Sequence, residues 1–157
     1  MEKTPHSKYQ IRFPDCDPFN HLNNARYLDY FMNAREDHLM KFYQFSPYQR
    51  IKEAGTSWVV SENRIAYIRP AMLMEEVLIS SSLRRWGDSD VHVEMLMWDK
   101  DQTKIKSVLW ARFVHYNIRT QKVESHTPDL VDRFRALENP FPSVISFEER
   151  TKELKIL

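Results

Sequence analysis

The stretch 15–21 places two carboxylates and an imidazole in one short, turn-rich loop. Asp17 lies just before a segment with helical periodicity, where a carboxylate can act as a nucleophile or as a general base toward water. The first backbone amides of a helix have no intrahelical acceptor, so they can stabilise an oxyanion that develops on a carbonyl oxygen. Residue types alone also allow a simpler interpretation, because Asp-Pro is a common turn signal and Pro18 follows Asp17.

The polar neighbours of Asp17 are better suited to supporting it than to reacting. Asp15 shares a face with Asp17 in an extended segment, and we expect it to hold the loop. His21 could be a general acid, although a histidine that enters a helix is as often a hydrogen-bonded structural group. Asn23 and Asn24 are typical helix N-caps. These residues therefore predict a loop whose shape is fixed by its own polar side chains.

Cys16 lies between the two aspartates and could be considered a nucleophile. A reactive thiol needs a partner that lowers its pKa, and no histidine stands at an identifiable spacing from it. We therefore expect Cys16 to be a small buried side chain.

A long amphipathic helix is predicted to follow the loop, starting at residue 25 or 26. Aromatic and apolar side chains recur there at helical spacing: Tyr27, Phe31, Ala34, His38 and Phe42. Pro47 ends the run, because a proline moves the preceding residue out of the α region. About 20 residues at a rise of 1.5 Å give a helix of about 30 Å.

Five strands are predicted from period-two patterns and turn signals, at 8–13, 57–69, 76–86, 90–98 and 104–117. A short helical turn at 52–55 precedes the second strand, with Gly55 as its stop. A final helix is predicted at 128–137, with Thr127 as its cap and Pro128 at its first position. One long helix cannot bury all its apolar surface alone, whereas strands of this length can wrap it.

Composition excludes several classes of protein. A net charge of +1 gives no reason to expect nucleic acid or an anionic membrane as a partner. One cysteine permits no internal disulfide, and no Cys/His cluster predicts a metal site. Two glycines cannot supply a dinucleotide fingerprint or a P-loop. Without a signal peptide or an 18-residue apolar run, we expect a cytoplasmic protein with one domain at 1–140 and a charged tail at 141–157, which is either frayed or a peripheral helix.

The loop and helix together resemble the hotdog-fold acyl-CoA thioesterases of the 4-hydroxybenzoyl-CoA thioesterase-like family. The matching positions of the first motif are Asp15, Asp17, His21, Asn23, Asn24, Tyr27, Tyr30, Ala34 and Arg35. The segment 65–71 (IAYIRPA) resembles the Tyr-x-Arg-Pro-Ala segment of the family, and the likeness extends over roughly residues 8–138. Two positions depart from the family pattern. Asn20 replaces a common glycine, although Asn tolerates left-handed backbone, and Met32 replaces a common helix glutamate.

The resemblance implies an α+β hotdog fold, in which a long central helix is wrapped by a curved, mainly antiparallel sheet of five or six strands. It implies hydrolysis of an acyl-CoA to a free acid and coenzyme A, without a metal or a cofactor other than the coenzyme A of the substrate. Asp17 would be the base or nucleophile, and the amide of Asn24 would polarise the thioester. Asp15, His21 and Asn23 would support the loop.

The resemblance also implies two subunits joined edge to edge, as a homodimer or a dimer of dimers. In that assembly Asp17 of one chain faces residues around Thr56 to Val60, or Arg69, of the other. Arg69 could contact the phosphates of coenzyme A or be an ordinary surface residue. Tyr27, near the first helical turn, could line an acyl pocket or belong to the core.

Two other functions remain open on the sequence. His21 lies four residues after Asp17, which is compatible with an enoyl-thioester hydratase or dehydratase of the same fold. Met32 in place of a helix glutamate is compatible with a non-catalytic acyl-thioester binding protein.

Overall fold

The computed structural model describes residues 1–157 and contains six strands and four α-helices. The strands are β1 (His6–Gln10), β2 (Thr56–Tyr67), β3 (Glu76–Trp86), β4 (Asp90–Asp99), β5 (Ile105–Asn117) and β6 (Lys122–Val123). The helices are α1 (Tyr27–Tyr43), α2 (Pro47–Ala54), α3 (Pro128–Leu137) and α4 (Phe147–Lys155). Two short 3₁₀ turns, Phe13–Asp15 and Asn24–Arg26, flank the loop that carries Asp17. None of the helices is long and apolar enough to cross a membrane.

The strands form one antiparallel sheet in the order β1-β3-β4-β5-β2, and β6 pairs with β5. Register shifts interrupt the ladders between Val60 and Glu62 in β2 and between Leu83 and Arg85 in β3. Irregularities of this kind bend a strand and increase its twist, which lets the sheet curl around a helix. The sheet and its central helix confirm the predicted α+β hotdog fold.

α1 packs its apolar stripe against the inner face of the sheet. Its buried residues are Tyr27, Tyr30, Phe31, Ala34 and His38. The facing strand residues belong to the same core cluster and include Val77, Ile79, Met95, Met97, Leu109 and Phe113. Burial of each large apolar side chain is worth about 1.5–3 kcal/mol. The core therefore fixes α1, and the loop before it, relative to the sheet.

α1 begins at Tyr27, one or two residues later than predicted, because a 3₁₀ turn occupies the first positions. The side chain of Asn23 caps this turn by accepting a hydrogen bond from the amide of Ala25 at 2.9 Å. α1 ends at Tyr43, and the φ of 46° at the following Gln44 lies in the left-handed region. Pro47 then starts α2, so the proline that was predicted to end one helix also opens the next.

The later helices agree with the pattern in position and differ in one cap. Gly55 ends α2 with a φ of 71°, as predicted from its place in the sequence. α3 begins at Pro128, but the predicted capping bond from Thr127 is wrong. The hydroxyl of Thr127 contacts the Asp129 carboxylate and Arg50 rather than a backbone amide.

The segment 141–157 contains α4, which lies on the outer face of the sheet, opposite α1. Phe147 and Leu154 are buried there in a second apolar cluster with Leu96, Ile105 and Val108. The same face carries Glu94, a buried carboxylate. The outer face of the sheet is therefore covered by this chain over its centre.

Because His38 is buried, we expect the protein to lose stability in acid. Its Nδ1 lies 2.7 Å from the Ser81 hydroxyl, and burial lowers its pKa from 6.5 to about 4. The folded pKa lies below the unfolded value, so the contribution of His38 to stability is complete above pH 6.5 and is lost as the pH falls toward 4. We expect His38→Gln to lose less stability than wild type between pH 7 and pH 4.5.

Urea unfolding at the two pH values measures this difference. His21→Gln is the matched control, since His21 lies at the other end of α1 and is only half-buried. It should follow the wild-type pH dependence. If the stability of all three proteins changed equally with pH, His38 would not be the source of the acid sensitivity.

Candidate active site

The loop around Asp17 is a tight turn closed by its own carboxylate. Oδ1 of Asp17 accepts hydrogen bonds from the amides of Phe19 at 2.9 Å and His21 at 3.1 Å. The Asp17 amide donates to the His21 carbonyl at 2.8 Å. Oδ2 has no hydrogen-bond partner within the chain. The turn-forming interpretation thus accounts for one oxygen of Asp17 and leaves the other free to react.

The left-handed turn expected at Asn20 is present, with a φ of 61°. The Asn20 carbonyl accepts a hydrogen bond from the amide of Leu73 at 2.8 Å, and His21 forms an isolated antiparallel bridge with Met72. The amide of Leu22 donates to the Ala71 carbonyl at 2.8 Å. The segment 71–73 therefore holds the Asp17 loop from outside, as a short extra ladder.

Asp15 fastens the loop to α1 and does not pair with Asp17. Its Oδ2 accepts a hydrogen bond from the Tyr30 hydroxyl at 2.7 Å, and the same hydroxyl accepts one from the amide of Arg12 at 3.1 Å. Burial, followed by the hydrogen bond to Asp15, raises the pKa of Tyr30 to about 12. The hydroxyl therefore stays protonated and remains a donor at neutral pH.

Tyr30→Phe should destabilise the protein by about 1–3 kcal/mol, the range for a hydrogen bond to a charged group whose partners are left without it. Turnover should change less than stability, because the loop amides still hold Asp17. Chemical unfolding and thiol release measure the two effects. Tyr116→Phe is the control, since the Tyr116 hydroxyl makes no hydrogen bond to the chain, and it should be neutral. A Tyr30→Phe protein as stable as this control would show that the Tyr30 hydroxyl does not anchor the loop.

Asn24 opens the 3₁₀ turn, so its amide has no acceptor within that turn. Its carbonyl accepts a hydrogen bond from the Tyr67 hydroxyl at 3.0 Å. Tyr67 also packs edge-on against Tyr27, with ring centroids 5.0 Å apart. We did not identify Tyr67 from the sequence, although it lies in the family-like segment 65–71. It fixes Asn24 to the end of β2.

Within one chain, neither Tyr27 nor Thr56 makes a hydrogen bond to Asp17. Tyr27 is 2% exposed, and its hydroxyl accepts a hydrogen bond from the Ala71 amide at 3.2 Å. Thr56 is also buried, and its hydroxyl accepts a hydrogen bond from Nε of Arg50 at 3.2 Å. Both side chains support backbone or neighbouring side chains in this structure.

Arg69 is held by carbonyl groups far along the chain. Its guanidinium donates to the carbonyls of Ile105 at 2.9 Å, Lys155 at 3.1 Å and Leu157 at 2.9 Å. Arg69 therefore ties β5 to the end of α4. A phosphate would have to displace these acceptors to bind it.

Exposed apolar side chains surround the Asp17 loop. Phe19 is 78% exposed, and Phe13, Met72 and Met74 are exposed as well. Two further methionines, Met95 and Met97, are fully buried in the core. Clustered exposed apolar groups next to a polar loop are typical of a binding surface.

Cys16 is half-buried, and its Sγ lies 3.4 Å from the Arg12 carbonyl. Its pKa is raised, first by desolvation and then by the charges of Asp15 and Asp17. The thiol is therefore protonated at neutral pH, which makes it a poor nucleophile.

Comparison with known proteins shows the family to which the chain belongs. The sequence profile described as thioesterase-like superfamily matches residues 11–143. The chain is 29% identical over 117 residues to the long-chain acyl-CoA thioesterase FadM of Escherichia coli, covering 74% of this chain and 86% of that protein.

Solved structures share the fold. The probable thioesterase YbaW of Escherichia coli has a TM-score of 0.73 at 23% identity, over 85% of this chain and 98% of that one. The Staphylococcus aureus protein SAV2348, solved in complex with CoA, has a TM-score of 0.79 at 13% identity, over 92% and 90%. The DHNA-CoA thioesterase of the same organism has a TM-score of 0.76 at 14% identity, over 85% and 89%. Since the family profile spans most of the chain, the protein belongs to the thioesterase-like superfamily and is a thioester hydrolase.

Proposed function

We propose that the protein hydrolyses acyl-CoA thioesters at the loop that carries Asp17. The observation that carries this proposal is the carboxylate of Asp17, held through one oxygen by two loop amides and free at the other. Phe13 and Phe19 are exposed in the same loop region, and the Asn24 amide starts the 3₁₀ turn that follows it. These are a base or nucleophile, a donor for the carbonyl oxygen and a surface for an acyl group.

The chemistry assigns each group one task. Oδ2 of Asp17 removes a proton from water, the water oxygen bonds to the thioester carbon, and the electron pair of the carbonyl moves to its oxygen. The Asn24 amide donates a hydrogen bond to that oxyanion. Collapse of the intermediate breaks the carbon–sulfur bond and releases coenzyme A, which takes up the proton. Direct attack by Asp17 would pass through an anhydride and give the same products.

The choice of an acyl-CoA as substrate rests on the relatives and on the exposed apolar side chains near Asp17. FadM is described as a long-chain acyl-CoA thioesterase, and SAV2348 was solved with CoA. The exposed rings of Phe13 and Phe19 provide apolar surface next to Asp17. Asp15, Asn23 and His21 are supporting residues in this proposal. Thr56 and Arg69 are left out of the site of a single chain, because Arg50 binds the Thr56 hydroxyl and three backbone oxygens hold Arg69. Tyr27 is left out because it is buried in the core.

The test is release of free thiol from a panel of acyl-CoAs of increasing chain length. Saturable turnover of at least one member supports the proposal. Binding without turnover would leave the non-catalytic alternative instead. Loss of enoyl absorbance on crotonyl-CoA without thiol release would identify a hydratase.

We further propose that the enzyme is a homodimer that forms along β2. This strand pairs with β5 on one side only, and its other edge is free over 12 residues. Val59 and Val60 are 44% and 45% exposed on it, and no proline or inward charge blocks pairing. A long exposed edge of this kind is a template for another strand.

Antiparallel pairing of two β2 strands would complete the active site. Tyr67, the last residue of β2, holds Asn24 through its carbonyl. In an antiparallel pair the end of one strand meets the start of the other. The start of β2 in a second copy, at Thr56 and Ser57, would therefore lie next to Tyr67 and the Asp17 loop of the first.

Dilution should abolish activity if the site is shared. We expect specific activity to fall as the protein passes below the dissociation constant of the dimer, in step with the mass measured by light scattering. Val60→Lys should weaken the dimer and activity together, whereas Val123→Lys on the short strand β6 should change neither. A fully active monomer of 18.9 kDa would contradict the shared site.

A further inference from the structure

The turn that holds the Asp17 loop also bonds to the strand side of that loop. This turn, residues 70–75, joins β2 to β3 and carries the backbone groups that pair with the loop after Asp17. Before the loop, the amide of Ile11 donates to the Glu75 carbonyl at 2.9 Å, and the Ile11 carbonyl accepts from the amide of Met74 at 2.9 Å. Main-chain hydrogen bonds therefore connect the turn to the chain on both sides of Asp17.

The carboxylate of Glu75 closes this turn. Met74 has a φ of 66°, in the left-handed region that a residue with a Cβ rarely adopts, so other contacts must hold it there. Oε1 of Glu75 accepts a hydrogen bond from the amide of Met72 at 3.0 Å, and the Glu75 amide donates to the Met72 carbonyl at 2.9 Å. Whatever fixes the Glu75 carboxylate therefore fixes the turn as well.

The ammonium group of Lys106 fixes that carboxylate from β5. Its Nζ lies 2.8 Å from Oε2 and 3.1 Å from Oε1 of Glu75, and it donates to the Pro70 carbonyl at 3.2 Å. The side chains of Lys106 and Glu75 are 14% and 22% exposed, so the pair is largely shielded from water. Lysine is rarely withdrawn from water to this extent unless it is paired. One ammonium group thus joins the beginning and the end of the turn.

An irregularity in the sheet brings Lys106 to this place. Two successive residues of β4 pair with Ser107 and Ile105, and the register skips Lys106 between them. An extra residue of this kind is left out of the ladder, and it re-aims its side chain. The bulge therefore directs the Lys106 side chain to the turn rather than along the β4–β5 ladder.

The main chain of Lys106 also supports the segment that holds Asn24. Its carbonyl accepts hydrogen bonds from the amides of residues 68 and 69, at 2.8 and 3.0 Å. These two residues directly follow Tyr67, whose hydroxyl donates to the Asn24 carbonyl at 3.0 Å. Lys106 is thus a common anchor for two supports, one that reaches the Asp17 loop and one that reaches Asn24.

We propose that Lys106, together with Glu75, is a positioning residue that sets the Asp17 loop relative to the amide of Asn24. This inference rests on the proposed hydrolysis, in which Asp17 activates water and the Asn24 amide stabilises the oxyanion. The two groups must be held accurately, because a displacement of about 1 Å can cost about 10²-fold in rate. Lys106 and Glu75 act through the backbone of the turn and do not contact the substrate.

Lys106→Met removes the ammonium group and keeps most of the length of the side chain. At saturating acyl-CoA and well below the melting temperature, kcat should fall about 10- to 100-fold, while KM changes less than about threefold because the substrate surface is intact. Lys104→Met is the matched control, since Lys104 is exposed in the preceding turn, and it should keep the wild-type kcat. An ion pair that only stabilised the fold would lower the melting temperature and leave kcat unchanged.

Glu75→Gln tests whether the two residues act as a unit, and it is the milder variant should Lys106→Met fail to fold. It removes the charge but keeps an oxygen for the Met72 amide, so kcat should fall at least about threefold. The double variant should be no slower than Lys106→Met alone, because no ion pair is left for the second substitution to remove. Glu76→Gln is the control, since the exposed Glu76 carboxylate lies 3.7 Å from Lys8, and it should be neutral.

Amide hydrogen exchange separates this inference from the proposed function. In Lys106→Met or Glu75→Gln, the amides of Leu22, Leu73 and Met74 should exchange faster, and by a larger factor than the amides of β4, which report on global opening. A wild type without thiol release would contradict the proposed function, and exchange alone would then decide the inference. Three results would overturn it: wild-type kcat in the variants, additive losses in the double variant, or unchanged exchange at those three amides.

Discussion

Asp17→Asn should remove most thioester hydrolysis and leave the fold intact. An asparagine keeps the size of the side chain and an oxygen that can accept from the amides of Phe19 and His21. It has neither the charge nor the basicity needed to activate water or to attack. Loss of a positioned general base costs typically 10²–10⁴-fold in rate, and we expect kcat/KM to fall within that range. The melting temperature should stay within a few degrees of wild type.

Two further variants make the result specific to Asp17. Asp15→Asn should cost less activity and more stability, because Asp15 is bonded to Tyr30 and anchors the loop. Asp101→Asn, in the exposed turn between β4 and β5, should change neither. A greater loss of turnover in Asp15→Asn than in Asp17→Asn would exchange the two roles. A folded Asp17→Asn protein within a few-fold of wild-type turnover would remove Asp17 from the mechanism.

The largest effect on stability is expected at Glu94, on the outer face of β4. Its carboxylate accepts hydrogen bonds from Arg84 at 2.8 Å, from Arg150 at 2.8 and 2.9 Å, and from Trp110 at 2.8 Å. Burial by itself raises the pKa of Glu94, but the bonds from Arg150, Trp110 and Arg84 lower it below its usual value. The group is therefore ionised and joins the sheet to α4.

Glu94→Gln should lower the free energy of unfolding by about 3–5 kcal/mol, because it leaves the partly buried Arg84 guanidinium without a counterion and Arg150 with only the exposed Glu153. Urea unfolding measures the loss, and limited proteolysis should show early cleavage in 141–157. Glu153→Gln is the control. Glu153 also pairs with Arg150, at 3.3 Å, but its side chain is exposed, so the change should be below about 1 kcal/mol. Equal effects of the two substitutions would contradict a structural role for the buried cluster.

The periodic parts of the chain were predictable because local pattern determines them. β3 has the bounds that period two predicted, and α3 begins at its proline as expected. The predicted start of α1 was one or two residues too early, because a 3₁₀ turn and an α-helix have the same apolar pattern over three residues. Local sequence was also insufficient at Thr127, which has a typical capping sequence although its hydroxyl contacts Asp129 instead of a backbone amide.

Contacts between distant segments could not be predicted from pattern. Glu94 occupies a polar position of a half-buried strand, and such positions normally face water. It is buried only because α4 returns 56 residues later to cover it. Arg69 looked available for phosphate because its three carbonyl acceptors lie in β5 and at the end of the chain. In the site, the polar residues of the loop 15–24 could be identified from the sequence. The hydrogen bond from Tyr67 to Asn24 could not, because it depends on strand register.

α4 also limits how copies of the chain can assemble. With α1 on one side and α4 on the other, the middle of the sheet is the central layer of three, and β3 buries consecutive residues on both faces from Val77 to Ser80. Stacking a second sheet on the outer face would require α4 to leave it. The hydrogen-bonding direction stays open, and the edge opposite β2 is the five-residue strand β1. A single β2–β2 pairing uses the long edge of both copies. By covering the outer face of the sheet, α4 therefore favours an edge-to-edge dimer over face-to-face stacking of sheets.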